Sequence, residues 1–304
     1  MGFETPVAFL IFNRPDTTEK VFREIASVRP ERLLVVADGA RADKPGEAEK
    51  CAAARAVIER VDWDCEVLKN YSDVNLGCRR RVSSGLDWVF DTVEEAVVLE
   101  DDCLPSPSFF PFCAELLARY RDDSRVMQIC GSNFLNGWRR DEHSYYFSNY
   151  GPIWGWASWR RAWKLYDVEM KLWPEFKEKR LFEDFCLSPE EAGQRRKIYD
   201  MVFSGEMDTW DLQWGFAKLV NSGLSITPNA NLISNIGFGA GATHTSSENH
   251  PFAAVKVEEL AFPLSHPAFV LRDRLCDRKY IEDFMLGKKR SALKSILRGI
   301  TGRL

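Results

Sequence analysis

Three consecutive carboxylates follow a short apolar run in this chain. Glu100, Asp101 and Asp102 come directly after residues 96–99, whose composition is typical of a buried strand. Because carboxylates cannot follow a strand into an apolar core, these three must lie at the strand's exit. Ligands of open α/β sheets bind at that edge, and oxygen-rich clusters hold divalent cations there. The alternative is a solvated acidic turn.

Two further predicted strands end in polar residues. Residues 7–12 are apolar and are followed by Asn13 and Arg14, and residues 33–37 are followed by Asp38. Since the carboxyl ends of parallel strands meet at one edge of a sheet, we expect these side chains to join the acidic cluster in one ligand site.

Strands and helices alternate through the first 105 residues. Apolar runs are separated by segments with helical spacing, and three helices are expected at about 16–27, 47–61 and 77–93. This alternation is typical of right-handed βαβ crossovers. The sequence therefore predicts an α/β fold with a mainly parallel central sheet.

The second half of the chain has a different composition. Residues 145–173 are crowded with aromatic side chains, which suit either a hydrophobic core or a wall on which sugar rings stack. Residues 175–206 are predicted to form one or two charged, exposed helices. The basic run 79–81 is more typical of a solvated helix surface than of a phosphate contact.

Asp208 and Asp211 open another predicted helix. Their spacing matches an N-cap and N3 pair, so both are candidates for capping that helix. A carboxylate at this position could also accept a proton from an attacking hydroxyl group. The spacing alone leaves both interpretations open.

A glycine-rich stretch precedes a late histidine. Gly237, Gly239 and Gly241 stand at alternate positions before His244 and Thr245. Such a backbone can approach an anionic ligand closely. A plain flexible loop is the alternative interpretation.

Composition and charge limit the class of protein. The 304 residues are 45% hydrophobic and 28% charged, and eight cysteines lack the spacing of a zinc site or a disulfide framework. No signal peptide or long apolar stretch is visible, so we expect a cytoplasmic protein. Six of the 41 basic residues lie in 288–304, which leaves a net charge of −10 on the rest. An acidic body of this kind argues against nucleic-acid binding.

The basic end of the chain has an amphipathic pattern. Apolar residues of 288–304 share one helical face and basic residues share another. This pattern is typical of a helix on an anionic membrane surface, and a solvated tail is the alternative. A peripheral position on the inner face of the membrane is therefore one expectation.

Taken in order, these features resemble the GT-A glycosyltransferases, and within them the N-acetylglucosaminyltransferase I-like group with its bacterial relatives. The matching features are Asn13-Arg14, Asp38, Leu76-Gly77, Glu100-Asp101-Asp102, Trp154-Gly155-Trp156, Trp210-Asp211 and the glycine loop ending in His244. The resemblance spans roughly residues 5–245. It implies a GT-A domain over 1–245, with a nucleotide-binding half (1–104) and an acceptor half (105–245). Residues 246–304 would form a C-terminal extension.

The resemblance also implies an activity. The family moves a sugar from a nucleotide-diphosphate donor to a hydroxyl group with inversion, and it uses Mn²⁺ or Mg²⁺. A UDP-sugar such as UDP-GlcNAc would be the donor, and a glycan or lipid-linked acceptor of surface polysaccharide synthesis would receive the sugar. The alternatives are a sugar-1-phosphate nucleotidyltransferase of the same fold and an inactive sugar- or lipid-binding relative.

Residue roles carry over from the resemblance one by one. Asp102 would be the metal ligand, Asp211 the catalytic base, and Glu100 would face the donor sugar or the acceptor. The residues expected to bind the nucleotide sugar are Asn13, Arg14, Asp38, Asp101, Trp210, Gly239, His244 and Thr245. Among them, Arg14 and Asp38 would surround the nucleobase, Asp101 the ribose, and the glycine loop the diphosphate.

Overall fold

The computed structural model describes residues 2–237 and 255–286 of the chain. The strands in these ranges are β1 (Val7–Ile11), β2 (Arg32–Ala37), β3 (Glu66–Tyr71), β4 (Glu95–Glu100), β5 (Cys103–Pro105), β6 (Val126–Cys130), β7 (Tyr145–Ser148), β8 (Trp156–Trp159), β9 (Leu224–Pro228) and β10 (Ile233–Asn235). The helices are α1 (Pro15–Val28), α2 (Glu47–Ile58), α3 (Gly77–Thr92), α4 (Phe109–Arg119), α5 (Arg160–Trp163), α6 (Trp173–Glu178), α7 (Phe182–Phe185), α8 (Pro189–Ser204), α9 (Asp211–Val220) and α10 (Arg274–Tyr280). A π-helical turn, Ile281–Met285, extends α10.

Eight strands form one central sheet in the order β3-β2-β1-β4-β8-β6-β9-β7. The first four are parallel, β8 runs antiparallel between β4 and β6, and β7 runs antiparallel at the edge. The remaining strands, β5 and β10, form a separate antiparallel ribbon. The predicted fold class, α/β with a mainly parallel central sheet, is confirmed.

Alternating side chains of the strands enter two cores. In β1, Val7, Phe9 and Ile11 pack into the first core, beneath helices that include α1 and α4, whereas Ala8 and Leu10 pack into the second, beneath α3. A strand covered on both faces needs apolar residues at every position, and this explains the continuous apolar run.

Most of the aromatic residues of the second half belong to a core. Trp156, Trp163, Trp210 and Trp214 are at most 3% exposed, and neighbouring rings lie 5–7 Å apart, with Trp156 stacked on Trp210 at 5.7 Å. These rings therefore follow the core interpretation. Trp154, by contrast, is only partly buried.

The expectation of one or two exposed helices over 175–206 is wrong in the number of helices and only partly right in their exposure, because each helix also buries apolar side chains. Three helices, α6 to α8, pack together with α9 around a third cluster that contains the buried rings of Trp173, Phe182, Tyr199 and Phe216. The apolar residues are spread over three helices, two of them only four and six residues long, so no single helix showed a clear amphipathic face in the sequence.

Residues 255–286 pack against the edge of the sheet. The N–H of Ser144 donates to the carbonyl of Ser265 (2.8 Å), and Arg272 pairs in parallel with Phe147 of β7. Asp277 of α10 is buried and accepts hydrogen bonds from Ser148 and from Arg272 Nε (2.6 Å). This segment is therefore joined to the sheet through backbone and side-chain contacts.

The described residues bear on two expectations from the sequence, one about disulfides and one about membrane-spanning helices. All eight cysteines lie within them and none forms a disulfide, as predicted. None of the helices found in 2–237 and 255–286 has the length and apolar character needed to cross a membrane. The basic segment 288–304 lies outside the described residues.

Candidate functional site

The ends of β1 and β4 meet at one guanidinium group. Because the two strands are adjacent and parallel, Arg14 after β1 reaches the carboxylates that follow β4. Its Nη1 donates to Asp102 Oδ2 at 2.8 Å, and its Nη2 donates to Asp101 Oδ1. The side chain of Arg14 is 24% exposed, so it remains in contact with solvent. Of the three residues expected to join the acidic cluster, Arg14 contacts it, whereas Asn13 donates to Glu47 and Asp38 binds the turn before α3.

The two aspartates differ in access. The Asp101 side chain is 3% exposed, and its other oxygen accepts the backbone N–H of Phe12 at 3.0 Å. The Asp102 side chain is 15% exposed, and its Oδ1 accepts a weak S–H hydrogen bond from Cys103 at 3.4 Å. Asp101 therefore fixes the position of Arg14 and β1, whereas Asp102 faces the open side.

Glu100 completes the acidic cluster. Burial, together with the negative charges of Asp102, Asp101 and Asp211, raises the pKa of Glu100 to about 8, against the opposing effect of Arg14. Burial also raises the pKa of Asp101 to about 6, although Arg14 lowers it. The effect of Asp211 on the pKa of Glu100 is the smallest of these.

A divalent cation at Asp102 stays a prediction. Asp101 and Asp102 both bind the guanidinium of Arg14, and the Asp102 side chain is the more exposed of the two, at 15% against 3%. Oxygen donors of this kind suit Mg²⁺ or Mn²⁺, which take one or two carboxylates and complete their shell with phosphate oxygens and water. Within 2–237 and 255–286, no group of three or more His, Cys, Asp or Glu side chains is placed to hold a metal.

The chain passes directly over this cluster at Gly237. The Ile236 N–H donates to the carbonyl of Asp102 (2.8 Å), which brings the backbone after β10 onto the site. A Cβ atom at Gly237 would lie 2.3 Å from Asp102 Oδ2 and 2.7 Å from Arg14 Nη1. Any larger side chain would therefore displace the carboxylate or the guanidinium.

Asp38 is engaged by the turn that begins α3. Its carboxylate accepts the N–H groups of Gly39, Leu76 and Gly77 at 2.9–3.2 Å and the amide of Asn75 at 3.0 Å. Burial nevertheless raises its pKa. The structure thus places Asp38 at the predicted strand end as an anchor for α3, and its contact with a nucleobase stays a prediction.

Sequence reasoning missed one buried residue of this edge. Glu47, 5% exposed, accepts hydrogen bonds from Asn13 Nδ2 (2.8 Å) and from the backbone N–H of Arg41 (2.7 Å). The guanidinium of Arg41 also binds it and lowers its pKa to about 2. Arg41 in turn lies over the Phe12 ring. Asn13 is thus fixed by an ion pair, and nothing in the local pattern distinguished Glu47 from the exposed acids of a helix start.

The two aspartates before α9 have separate partners. Asp208 does not cap its own helix: its oxygens accept the N–H groups of Cys78 and Arg79 at 3.1 Å, at the start of α3. Asp211 is the first residue of α9, where the Thr209 hydroxyl donates to it. The suggested N-cap and N3 pairing is therefore wrong, because the turn directs Asp208 toward another helix.

The basic run 79–81 is also turned inward at two of its positions. Arg81 is 6% exposed and donates to the Ala37 carbonyl (3.1 Å) and to Asn70 Oδ1 (2.7 Å). Arg79 donates to the carbonyl of Val168. These two arginines tie α3 to its surroundings, so the expectation of a solvated surface is wrong for them.

Trp210 precedes Asp211 and is 2% exposed within the tryptophan cluster. Its carbonyl accepts the Tyr166 hydroxyl at 3.2 Å. This packing positions the start of α9, and the expected contact of Trp210 with a nucleotide sugar stays a prediction.

A cavity of about 400 Å³ adjoins Asp211. Besides Asp211, it is lined by the rings of Phe134, Tyr150, Trp154, Phe185, Tyr199 and Tyr280 and by two basic side chains, Arg195 and Lys218. The volume suits a small ligand. Three more predicted residues, Gly239, His244 and Thr245, lie outside the described residues.

Comparisons with known proteins do not assign a family. No family model and no curated protein matches the chain. Among solved structures, the 4-diphosphocytidyl-2C-methyl-D-erythritol synthase of Anaerococcus prevotii is 12% identical, with a TM-score of 0.34, over 60% of this chain and 84% of that one. A UDP-glucose pyrophosphorylase in complex with UDP-glucose is 10% identical, with a TM-score of 0.31, over 53% and 79% of the two chains. Likeness at this level carries no inference about activity.

Proposed function

We propose that this protein is an inverting, metal-dependent glycosyltransferase. One observation carries the proposal: Arg14 binds Asp101 and Asp102 at the carboxyl ends of β1 and β4, while Asp211 begins α9 and lines a cavity whose volume suits a small ligand. A cation-binding carboxylate and a separate carboxylate beside a cavity are the two groups that such a transfer needs.

On the donor side, Asp102 would hold Mg²⁺ or Mn²⁺. The bound cation would neutralise the charge that grows on the departing nucleoside diphosphate. Arg14 would lie beside it, since Asp101 and Phe12 fix its position. We propose a UDP-sugar, such as UDP-GlcNAc, as the donor.

On the acceptor side, Asp211 would accept the proton of the attacking hydroxyl. The Thr209 hydroxyl donates to one of its oxygens, which orients the carboxylate at the start of α9. Transfer with inversion requires a single base on the face of the sugar opposite the leaving group. Glu100 would face the reacting sugar.

The nucleotidyltransferase alternative calls for a different loop after β1. Such enzymes hold a triphosphate with a glycine-rich, basic segment at this place. Here the chain passes from β1 straight into α1, with Pro15 as its first residue, and Arg14 is turned to Asp101 and Asp102. The glycosyltransferase is therefore the proposal that we put first.

Donor binding tests the proposal. Nucleotides and nucleotide sugars are titrated calorimetrically in Mn²⁺ and in EDTA, with wild type, Asp102→Asn and the exposed control Asp43→Asn. We expect binding of one nucleotide family in Mn²⁺ and a loss of at least about tenfold in affinity in Asp102→Asn alone. No binding of any nucleotide would instead indicate an inactive relative.

Turnover completes the same test. Asp211→Asn should keep the donor affinity of wild type and lower sugar transfer by about 10²- to 10⁴-fold, as expected for loss of a general base. Full turnover in this variant would refute the assignment of the base. Pyrophosphate release from a nucleoside triphosphate and a sugar phosphate would establish the nucleotidyltransferase instead.

A further inference from the structure

We propose that the cavity beside Asp211 binds an acidic glycan, with Lys218 contacting its negatively charged group. The inference rests on the proposed function, because it names the class of acceptor whose hydroxyl would lie at Asp211. It goes further in assigning a charge to that acceptor.

One stripe of α9 forms a wall of the cavity. Asp211, Gly215 and Lys218 recur at intervals of four and three residues, so they share one face of the helix. Seven residues separate Asp211 from Lys218, which corresponds to about 10 Å along the helix axis. The middle position is a glycine, and a Cβ there would lie 3.2 Å from the Tyr199 hydroxyl. The stripe thus presents an acid and a base with space between them.

Lys218 is a buried amine among neutral partners. It is 2% exposed, and its Nζ donates to Gln128 Oε1 and to Ser225 Oγ (2.8 Å). No carboxylate forms an ion pair with it in the part of the chain that the structure describes. An ammonium group has three donors, and burying it without an anion is costly. An anionic ligand would offset that cost.

The backbone leaves room for the ammonium group at Gly151. A Cβ atom at this position would lie 2.4 Å from Lys218 Nζ, 2.5 Å from Ser225 Oγ and 2.6 Å from Gln128 Oε1. Gly151 itself lines the cavity. A glycine at this position therefore allows the segment before β8 to pass close to the charge.

The second cation of the cavity has an anionic partner. Arg195 Nε donates to Glu191 at 2.8 Å, and Glu191 is fully buried behind it. The charge of Arg195 is therefore largely balanced within the protein. This leaves Lys218 as the better candidate for binding an anionic group of a ligand.

The remaining walls suit sugar rings. Phe134 contacts Trp154 edge-on at 5.3 Å, and Tyr150 contacts Tyr280 at 5.9 Å, so rigid aromatic faces border the cavity. Aromatic rings stack on the apolar faces of sugars, while the polar groups fix orientation. Aromatic walls together with one unbalanced ammonium group match a glycan that carries a carboxylate or a phosphodiester.

A glycan panel tests this inference. Matched neutral, uronate-containing and phosphodiester-containing oligosaccharides are immobilised, and binding of the full-length protein is measured in Mn²⁺ with UDP. The variants are Lys218→Met, which keeps the length of the side chain without its charge, and the control Lys197→Met, an exposed lysine of α8. Comparing the uronate-containing with the phosphodiester-containing oligosaccharides shows whether the site prefers a carboxylate or a phosphodiester.

The inference expects a preference of wild type for acidic over neutral glycans of about tenfold or more, the range of a charged hydrogen bond. Lys218→Met should lose that preference and Lys197→Met should keep it. Equal binding of neutral and acidic glycans, no glycan binding, or a preference that survives in Lys218→Met would overturn it.

Two additions keep the result interpretable. If Lys218→Met does not fold, Gly151→Ala replaces it, because its Cβ would displace the ammonium group while the charge stays. Donor titration is run in parallel on every variant. If the wild-type protein binds a nucleotide donor but does not prefer acidic glycans, this inference alone is refuted. If it neither binds a nucleotide donor nor prefers acidic glycans, the proposed function is refuted as well.

Discussion

Single residues of this protein lie in environments that change their chemistry. Lys218 is held by a side-chain amide and a hydroxyl rather than by a carboxylate. Burial lowers its pKa to about 8. In an unfolded chain, the same lysine would titrate at about 10.4.

This difference predicts a pH-dependent stability. Between pH 8 and about 10.4, the unfolded lysine holds its proton while the folded one has released it, so the free energy of unfolding should rise with pH from this group. We expect a contribution of about 1–3 kcal/mol across that window. Urea unfolding of wild type and Lys218→Met at several pH values measures it, because other groups cancel in the difference. Parallel curves for the two proteins would contradict the prediction.

At the residue scale, the sequence predicted which residues form the acidic cluster better than it predicted how exposed each of their side chains is. The acidic triplet was identified as a strand exit, and its contact with Arg14 follows from two adjacent parallel strands. The spacing alone, without the resemblance, could not show that Asp101 is enclosed by Phe12 and Arg14 while Asp102 stays accessible, because that depends on neighbours 87–89 residues away. Glu47 was missed for the same reason.

At the scale of elements, α3 begins under the control of two distant carboxylates. Asp38, after β2, binds the turn before the helix, and Asp208, before α9, binds its first free N–H groups. A helix start without such acceptors leaves backbone donors unpaired. The start of α3 therefore depends on residues from both halves of the chain.

Removing the second of these carboxylates should weaken the helix. We expect Asp208→Ala to lower the free energy of unfolding by about 1 kcal/mol, within the range known for capping residues. Chemical denaturation with Asp62→Ala, an exposed aspartate, as the matched control measures the effect. Equal loss in both variants would show that the contacts with Cys78 and Arg79 contribute nothing.

The elements differ in how far their sequences determined them. The first three helices were placed to within a few residues, since the alternating strands already implied where each helix begins and ends. Helices α6 to α8 pack mainly on each other and on Phe216 of α9. Their apolar side chains are buried by that mutual packing, and the sequence of each helix shows no hydrophobic periodicity that would have predicted it.

On the scale of the whole molecule, residues 255–286 complete the structure around the cavity. Tyr280 of α10 lines the cavity, and Asp277 beneath it binds Ser148 and Arg272. Arg272 also lies over the rings of Tyr150 and Phe185. The ion pair of Arg272 with the buried Asp277 thus connects the edge of the sheet, the cavity and the late helix.

Breaking this pair should destabilise the protein strongly. Asp277→Ala would leave the partly buried guanidinium of Arg272, 19% exposed, without its carboxylate, and we expect a loss of about 2–4 kcal/mol in the free energy of unfolding, somewhat below the range for a fully buried pair. Asp283→Ala, at a less buried acid of the same segment, serves for comparison. A loss below about 1 kcal/mol in Asp277→Ala would mean that residues 255–286 contribute little to stability.

The global arrangement could be predicted for half of the sheet. Strict alternation of strands and helices implied the parallel order of β1 to β4. The insertion of β8 between β4 and β6 could not be foreseen, because it pairs residues 60 positions apart in antiparallel register. Such pairing depends on the path of the loops that bring β8 back beside β4. The path of a loop produces no periodic pattern in the sequence.

The contact of Asp208 with the start of α3 limits how this protein can be recombined. A chimera that joined residues 1–104 of this chain to the later part of a relative would separate the carboxylate from the two N–H groups that it caps. Asp211 lies three residues after Asp208, so loss of the contact between Asp208 and α3 would also alter the position of the proposed base. An exchange of either half would therefore have to transplant the turn at 76–79 together with residues 207–211, as one unit.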